Sequence, residues 1–222
     1  FLLLFTVLAN LFLAFQIPWG ETIPLPNVPL ESNPPAVLLL AAFPLLFSAG
    51  LLGSWPTLIL GLVGGSLDAL FNTHSIFTPL EMAGLGLILS LMFRQNYRSL
   101  FYRMLRHPLG AAFFTWLFST PIYLISTFFS TNGTLAARLD YSFTQSWILM
   151  VVNGIQLLLA GIFGTIILIQ KVSGWTKPKA LVPSPGESGL QARILITTIP
   201  FIILLMITLA VADWAVAGQA AR

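Results

Sequence analysis

Few residues in this chain could do chemistry, and several of them are gathered in one stretch. Of 222 residues, seven are Asp or Glu, ten are Lys or Arg, two are His and none is Cys. Asp68 and Asn72 stand four apart, so on a helix they share a face. His74 and Ser75 follow, and Thr78-Pro79-Leu80-Glu81 opens the next apolar run. A tight turn there makes antiparallel neighbours of the two runs, so that Asp68, Asn72, His74 and Glu81 converge as a candidate ligand-binding cluster. Two carboxylates in one apolar place repel unless His74, a cation or a cationic ligand offsets them. Ionisable groups inside apolar spans are costly and mark function by default. A structural reading stands beside this one: Thr78-x-x-Glu81 has the form of a capping box, with Pro79 at the favoured first helical position. One His and two carboxylates at this spacing match no tight metal signature, so no metal site is expected.

A second constellation is basic. Arg94, Arg98, Tyr102 and Arg106 recur every four residues, which on a helix makes a stripe with Arg103 beside it. The stretch reads as an amphipathic helix lying along the membrane, with Arg94, Arg98, Arg103 and Arg106 as a cytoplasmic basic face. That face suits anionic lipid or a cytoplasmic partner, or it serves only to anchor topology. Catalytic templates fail. Gly186-Glu187-Ser188-Gly189 has the string of a rhomboid-type nucleophile, but it falls in a linker and no His follows His107. There is no P-loop and no HExxH, and without Cys there is neither thiol chemistry nor a disulfide. The chain is therefore expected to carry no catalytic residue and no cofactor.

Composition dictates the elements that must position these residues. Hydrophobic residues make up 57% and charged residues 8%, with mean hydropathy +0.90. A soluble domain carries roughly 25% charged residues, so a water-soluble enzyme and an aqueous nucleic-acid binder are both excluded. The expectation is an all-α polytopic transmembrane bundle, because lipid leaves no other way to satisfy each segment's backbone. Seven apolar segments of about the spanning length lie at 1–17, 36–53, 55–72, 76–93, 109–130, 146–170 and 193–218. With the N-terminus inside, eight of the ten Lys and Arg fall on the cytoplasmic side and only Arg138 and Arg222 outside, as the positive-inside rule favours. The C-terminus is then outside. Trp19, Trp147 and Trp214 sit at the outer interface, and Trp55 and Trp175 at the inner one. Gly61-x3-Gly65 and Ala160-x3-Gly164 offer close helix approach, either within the chain or as a dimer face. Asn153 and Gln156 are placed to hydrogen-bond a neighbouring helix. Asn132-Gly133 marks a turn within a polar connection over 131–145. The division expected is a six-helix bundle over 1–170, a cytoplasmic linker over 171–192, and a seventh helix over 193–222 leading to an outer domain of a longer protein.

Gly53-Ser54-Trp55-Pro56, Gly61 to Gly65, the run from Thr73 to Glu81, and Arg94-Gln95-Asn96-Tyr97-Arg98 together resemble the N-terminal membrane region of large bacterial sensor proteins. These include sensor histidine kinases and GAF- or phosphatase-linked receptors. Ser188 to Arg193 and Asp213 to Arg222 look like the helix that enters an extracytoplasmic Cache-type domain in such proteins. The resemblance implies a multi-pass inner-membrane input or anchor module of a two-component receptor. Its partners would be the bilayer, a small ligand taken from outside, and a second copy through the full-length receptor; kinase activity would lie in the rest of that protein. The chain is also similar to the substrate-binding S components of ECF transporters, although Ala9 and Ala14 are five apart where that family has an Ala-x3-Ala face.

Overall fold

The computed structural model describes residues 1–12, 14–16, 36–169, 180–184, 189, 194–195, 198–206 and 208–209. The described chain is mostly helical. Helix α1 is Leu2–Phe12 and α2 is Ala42–Leu51. Helix α3 is Ser54–Asp68 and runs on as a π turn, Ala69–Thr73. Helix α4 is Thr78–Arg94, α5 is Leu100–Arg106, α6 is Pro108–Ser130 and α7 is Leu135–Ile169. Three helical stretches are long and apolar enough to cross a membrane: Ser54–Thr73, Pro108–Ser130 and Leu135–Ile169.

The first two expected spans differ from what forms. α1 has 11 residues and α2 has 10, about 16 and 15 Å at 1.5 Å per residue, short of a hydrocarbon core of about 30 Å. Between them β1 (Ala14–Gln16) pairs antiparallel with β2 (Ala36–Leu38), with Ala14 opposite Leu38 and Gln16 opposite Ala36. Pro44 is the reason α2 starts where it does. It has no N–H for the Leu40 carbonyl, and its ring would clash with that carbonyl if the helix continued upstream. The backbone turns instead, through Ala41 N–H to Leu38 O at 3.1 Å and Phe43 N–H to Leu40 O at 3.1 Å. Apolarity alone does not distinguish such a strand from a helix, which is why the sequence reading joined them.

Gly53 makes the corner between α2 and α3. Its φ of 116° is a conformation that L side chains rarely adopt, and its N–H caps α2 by bonding Ser48 O at 2.9 Å. That backbone conformation favours glycine, and the Arg94 guanidinium at the end of α4 lies over the corner, 2.5 Å from where a Cβ would stand. Two hydroxyl pairs fasten the same end of the bundle, Thr57 to Ser48 at 2.9 Å and Ser54 with Ser90 at 2.8 Å.

α3 and α4 are antiparallel neighbours, and glycine sets how close they come. A Cβ on Gly61 would meet the Met82 carbonyl at 2.6 Å, and one on Gly65 would meet Pro79 Cα at 2.6 Å. The Gly61/Gly65 stripe therefore serves packing inside the chain. α6 packs along α7, α4 touches both α3 and α6, and α2 lies against α3, α4 and α7. The buried core between them includes Leu46, Leu85, Leu89, Ala112, Leu157 and Ala160.

α6 and α7 carry their own local solutions. Pro121 sits inside α6 and leaves the Leu117 carbonyl without its backbone donor. The Thr120 hydroxyl replaces it at 3.0 Å. The Trp116 indole N–H crosses to Met150 O of α7 at 2.9 Å, over Gly154, where a Cβ would lie 2.5 Å from that nitrogen. Asn153, expected to bond a neighbouring helix, donates to Leu149 O of its own helix at 3.1 Å and lies beside Tyr123 of α6. The polar connection expected over 131–145 shrinks to residues 131–134. Gly133 turns at φ 137°, Thr134 receives Arg138 N–H at 3.0 Å, and α7 starts at Leu135. Arg138 then reaches back and donates to the Phe128 carbonyl at 2.8 Å, near the end of α6, where a cation suits the helix C-terminus.

The expected basic stripe is also broken. Gln95 turns extended, with ψ 146°, and Asn96, Tyr97 and Ser99 are weak helix formers. Asn96–Leu100 belongs with the described parts of Ala180–Arg222 in a second compact unit. There Tyr97 pairs with Val182 in a parallel bridge, with Arg98 N–H to Val182 O at 3.0 Å. Arg94 thus ends α4, Arg98 lies in extended backbone, and only Arg103 and Arg106 share α5. In the second unit 198–206 is helical. Most of the linker over 171–192, and the connector from 210 onward, lie outside the described residues.

Candidate functional site

The sequence-derived cluster divides on folding. Asp68 occupies the last α-helical position of α3, just before the wider π turn. It is buried, and Asn72 donates to its Oδ1 at 3.0 Å. His74 leaves the cluster. It takes the left-handed conformation, φ 51° and ψ 22°, that ends the helical run, and its side chain is exposed. A left-handed residue is a common helix stop, and here it turns the imidazole toward the surface.

The capping box does not form. Phe77 holds the N-cap position of α4 and offers no side-chain acceptor. Thr78 is consequently the first helical residue, and its hydroxyl crosses to the Thr73 hydroxyl at 2.7 Å, tying α3 to α4. The Thr78 N–H, which the Glu81 carboxylate would bind in a capping box, is satisfied by Ser75 O at 3.3 Å, which frees that carboxylate. That carboxylate turns inward and receives a hydrogen bond from the Ser126 hydroxyl of α6.

Ser126 and Tyr123 are the residues that sequence reasoning missed. The signal was present: Ser119, Tyr123, Ser126 and Thr127 fall at i, i+4, i+7 and i+8 in an apolar run, a polar stripe at helical spacing. Tyr123 is fully buried, and its hydroxyl has no hydrogen-bond partner. Ser119 and Asn153 lie near it. Ser119 donates to Trp116 O at 2.6 Å and Asn153 to Leu149 O at 3.1 Å, which leaves the Ser119 Oγ and the Asn153 Oδ1 as acceptors beside the tyrosine hydroxyl. Thr127 extends the stripe to Ser146 of α7 at 3.1 Å.

Asp68 and Glu81 are both buried, one accepting from Asn72 and the other from Ser126. Two carboxyl groups buried in an apolar bundle are costly in their charged form. The described residues hold no group of three or more His, Cys, Asp or Glu side chains that could hold a metal ion. A small cavity lined by Thr6, Asn10, Leu60, Gly64 and Met82, among others, holds about 10 Å³, room for about one water. None of the four sequence-derived cluster residues lines it. Compared with known proteins, the chain matches no family model, no curated protein and no solved structure.

Proposed function

We propose that this chain is a multi-pass inner-membrane input module of a bacterial signal-transduction receptor, taking a small ligand from the outer side at the Asp68–Glu81 cluster. The observation that carries the reading is a pair of buried carboxyl groups, Asp68 at the end of α3 and Glu81 in α4, the latter joined to α6 through Ser126. Such groups are costly in an apolar bundle and rarely kept without a task. The exposed surface supports a lipid setting: Trp55, Trp147, Phe118, Ile125 and Phe163 all face outward, and Trp near helix ends suits the bilayer interface. The proposal includes seven crossings with the N-terminus inside, drawn from the Lys and Arg asymmetry.

Binding at the cluster would shift α3 and α4 against α6, because Glu81 and Ser126 join them. The test uses the full-length receptor in membranes. Asp68→Asn and Glu81→Gln should alter its signal output while leaving its insertion intact. Unchanged output in both variants would remove the ligand-receiving role. Insertion is read separately. The chain has no Cys, so a single cysteine at Asn132 should react with an impermeant maleimide in intact cells, and one at Asn96 should not.

A second reading, an S-component-like solute-binding subunit of a transporter, is favoured by one observation. The helices from α1 to α7 group as a compact unit apart from the segment beyond Ala180. Solute uptake in the absence of any signalling output would select it.

A further inference from the structure

We propose that Arg94, Arg103 and Arg106, at the end of the bundle where α4 stops and α6 starts, form a binding surface for the phosphate headgroups of anionic phospholipid. The proposal rests on the chain lying in a membrane and is independent of the ligand-receiving reading of Asp68 and Glu81.

The surface is assembled by packing and differs from the stripe that spacing predicts. Arg94 closes α4, and Arg103 and Arg106 share α5, three residues apart and so on one side of it. Arg98 lies in the second compact unit and takes no part. The Gln95 side-chain amide donates to the Tyr102 carbonyl. That contact brings together the chain neighbours on either side of it, Arg94 and Arg103. α5 is seated on the bundle by Leu105, which is buried, and by the Phe101 ring, which meets Phe114 of α6 edge-on at 5.3 Å. Arg94 and Arg103 stay exposed.

The charge at this end is unanswered. Among the described residues Arg94, Arg103 and Arg106 form no hydrogen bond or ion pair. The described acidic residues all lie at the other end of the bundle: Asp68 closes α3, Glu81 stands in the first turn of α4, and Asp140 is near the start of α7. Arg138, at that far end, is already spent on the Phe128 carbonyl.

The apolar setting is a separate observation. The Arg94 guanidinium lies over the Gly53 corner, whose chain neighbours Leu52 and Trp55 are 53% and 77% exposed, and Met104 of α5 is exposed as well. Anchoring of topology needs positive charge alone and gives no reason for this grouping. An acidic protein would answer the charge and leave the tryptophan and leucine unaccounted for. Anionic lipid answers both, because headgroup and acyl chain belong to one molecule. Guanidinium binds phosphate oxygens in a bidentate fork, while exposed Trp and apolar side chains enter the acyl boundary.

The experiment follows melting of the full chain in detergent micelles as dioleoyl phosphatidylglycerol or dioleoyl phosphatidylcholine is added at constant ionic strength. Phosphatidylglycerol should stabilise the wild-type protein in a saturable way, as binding to the folded state requires, and phosphatidylcholine should not. Arg94→Gln and Arg103→Gln should each weaken the apparent affinity about fivefold, the effect of one arginine near an anionic surface. Arg94→Lys should keep most of it, and Arg138→Gln, at the far end, should keep all of it. Arg94 and Arg103 make no hydrogen bond, so their variants should fold. Native mass spectrometry of the wild-type protein, with retained phosphatidylglycerol in excess of phosphatidylcholine, reads the same binding without any variant. Equal effects of the two lipids overturn the proposal. An undiminished phosphatidylglycerol response in both glutamine variants places the lipid elsewhere and also overturns it. Full stabilisation by inorganic phosphate without lipid assigns the arginines to a soluble anion and overturns the lipid. Each of these failures leaves the output test of Asp68 and Glu81 untouched.

Discussion

At the scale of single residues, the cluster is held by hydroxyls. Ser126 donates to Glu81 and is itself tied to α6 through the Tyr123 carbonyl at 3.1 Å. Ser126→Ala leaves a buried carboxylate without its donor, a loss of about 1–3 kcal/mol. Unfolding in mixed micelles should show that loss, and Ser126→Thr should recover most of it. Tyr123→Phe runs the other way. Removing a buried hydroxyl that makes no hydrogen bond should leave stability unchanged or raise it by about 1 kcal/mol. A clear loss there would mean that the hydroxyl has a partner after all.

At the scale of elements, backbone proximity matters more than side-chain pattern. Gly61 brings α3 onto the α4 backbone, where an added Cβ would lie 2.6 Å from the Met82 carbonyl. Gly61→Val must push the helices apart, and overpacking of this kind costs about 1–3 kcal/mol. The same change should also weaken any coupling between Asp68 and Glu81, because those residues sit on the two helices it separates. In α6, the Thr120 hydroxyl stands in for the donor that Pro121 lacks. Thr120→Val exposes the Leu117 carbonyl to an apolar surrounding, and should increase amide exchange around residues 117–121 more than elsewhere in α6.

At the scale of the whole molecule, length against bilayer thickness decides what each helix can do. α7 has 35 residues, about 52 Å, well beyond a hydrocarbon core of about 30 Å. Its Ser146–Ile169 part suffices to cross, so the first turns from Leu135 should stand in water as helix. A single-cysteine scan along α7 should find the exposed positions 136, 140 and 144 reactive to a polar maleimide and residues near 150–160 protected. Protection running evenly through 136–160 would contradict that placement.

The amino-acid composition by itself determined that the chain is helical and apolar, because so few charged residues cannot solvate a soluble surface. The positions of glycine marked the turn at Gly133 and the Gly61/Gly65 approach, since each rests on a property local to glycine. Where α1 stops and α2 starts was not legible, because an apolar run reads alike as strand or helix until Pro44 and the β1–β2 pairing act on it. The split of the candidate site was not legible either. Asp68 and Asn72 share a face by helical period alone, but His74 was removed by a single left-handed residue. Glu81 was turned inward because α4 begins at Thr78, with no side chain at Phe77 to cap it. Only tertiary structure could bring Tyr123 and Ser126, more than forty residues along the chain from Glu81, against the carboxylates. Helical period fixes which residues share a face, whereas the packing of helices decides which faces meet.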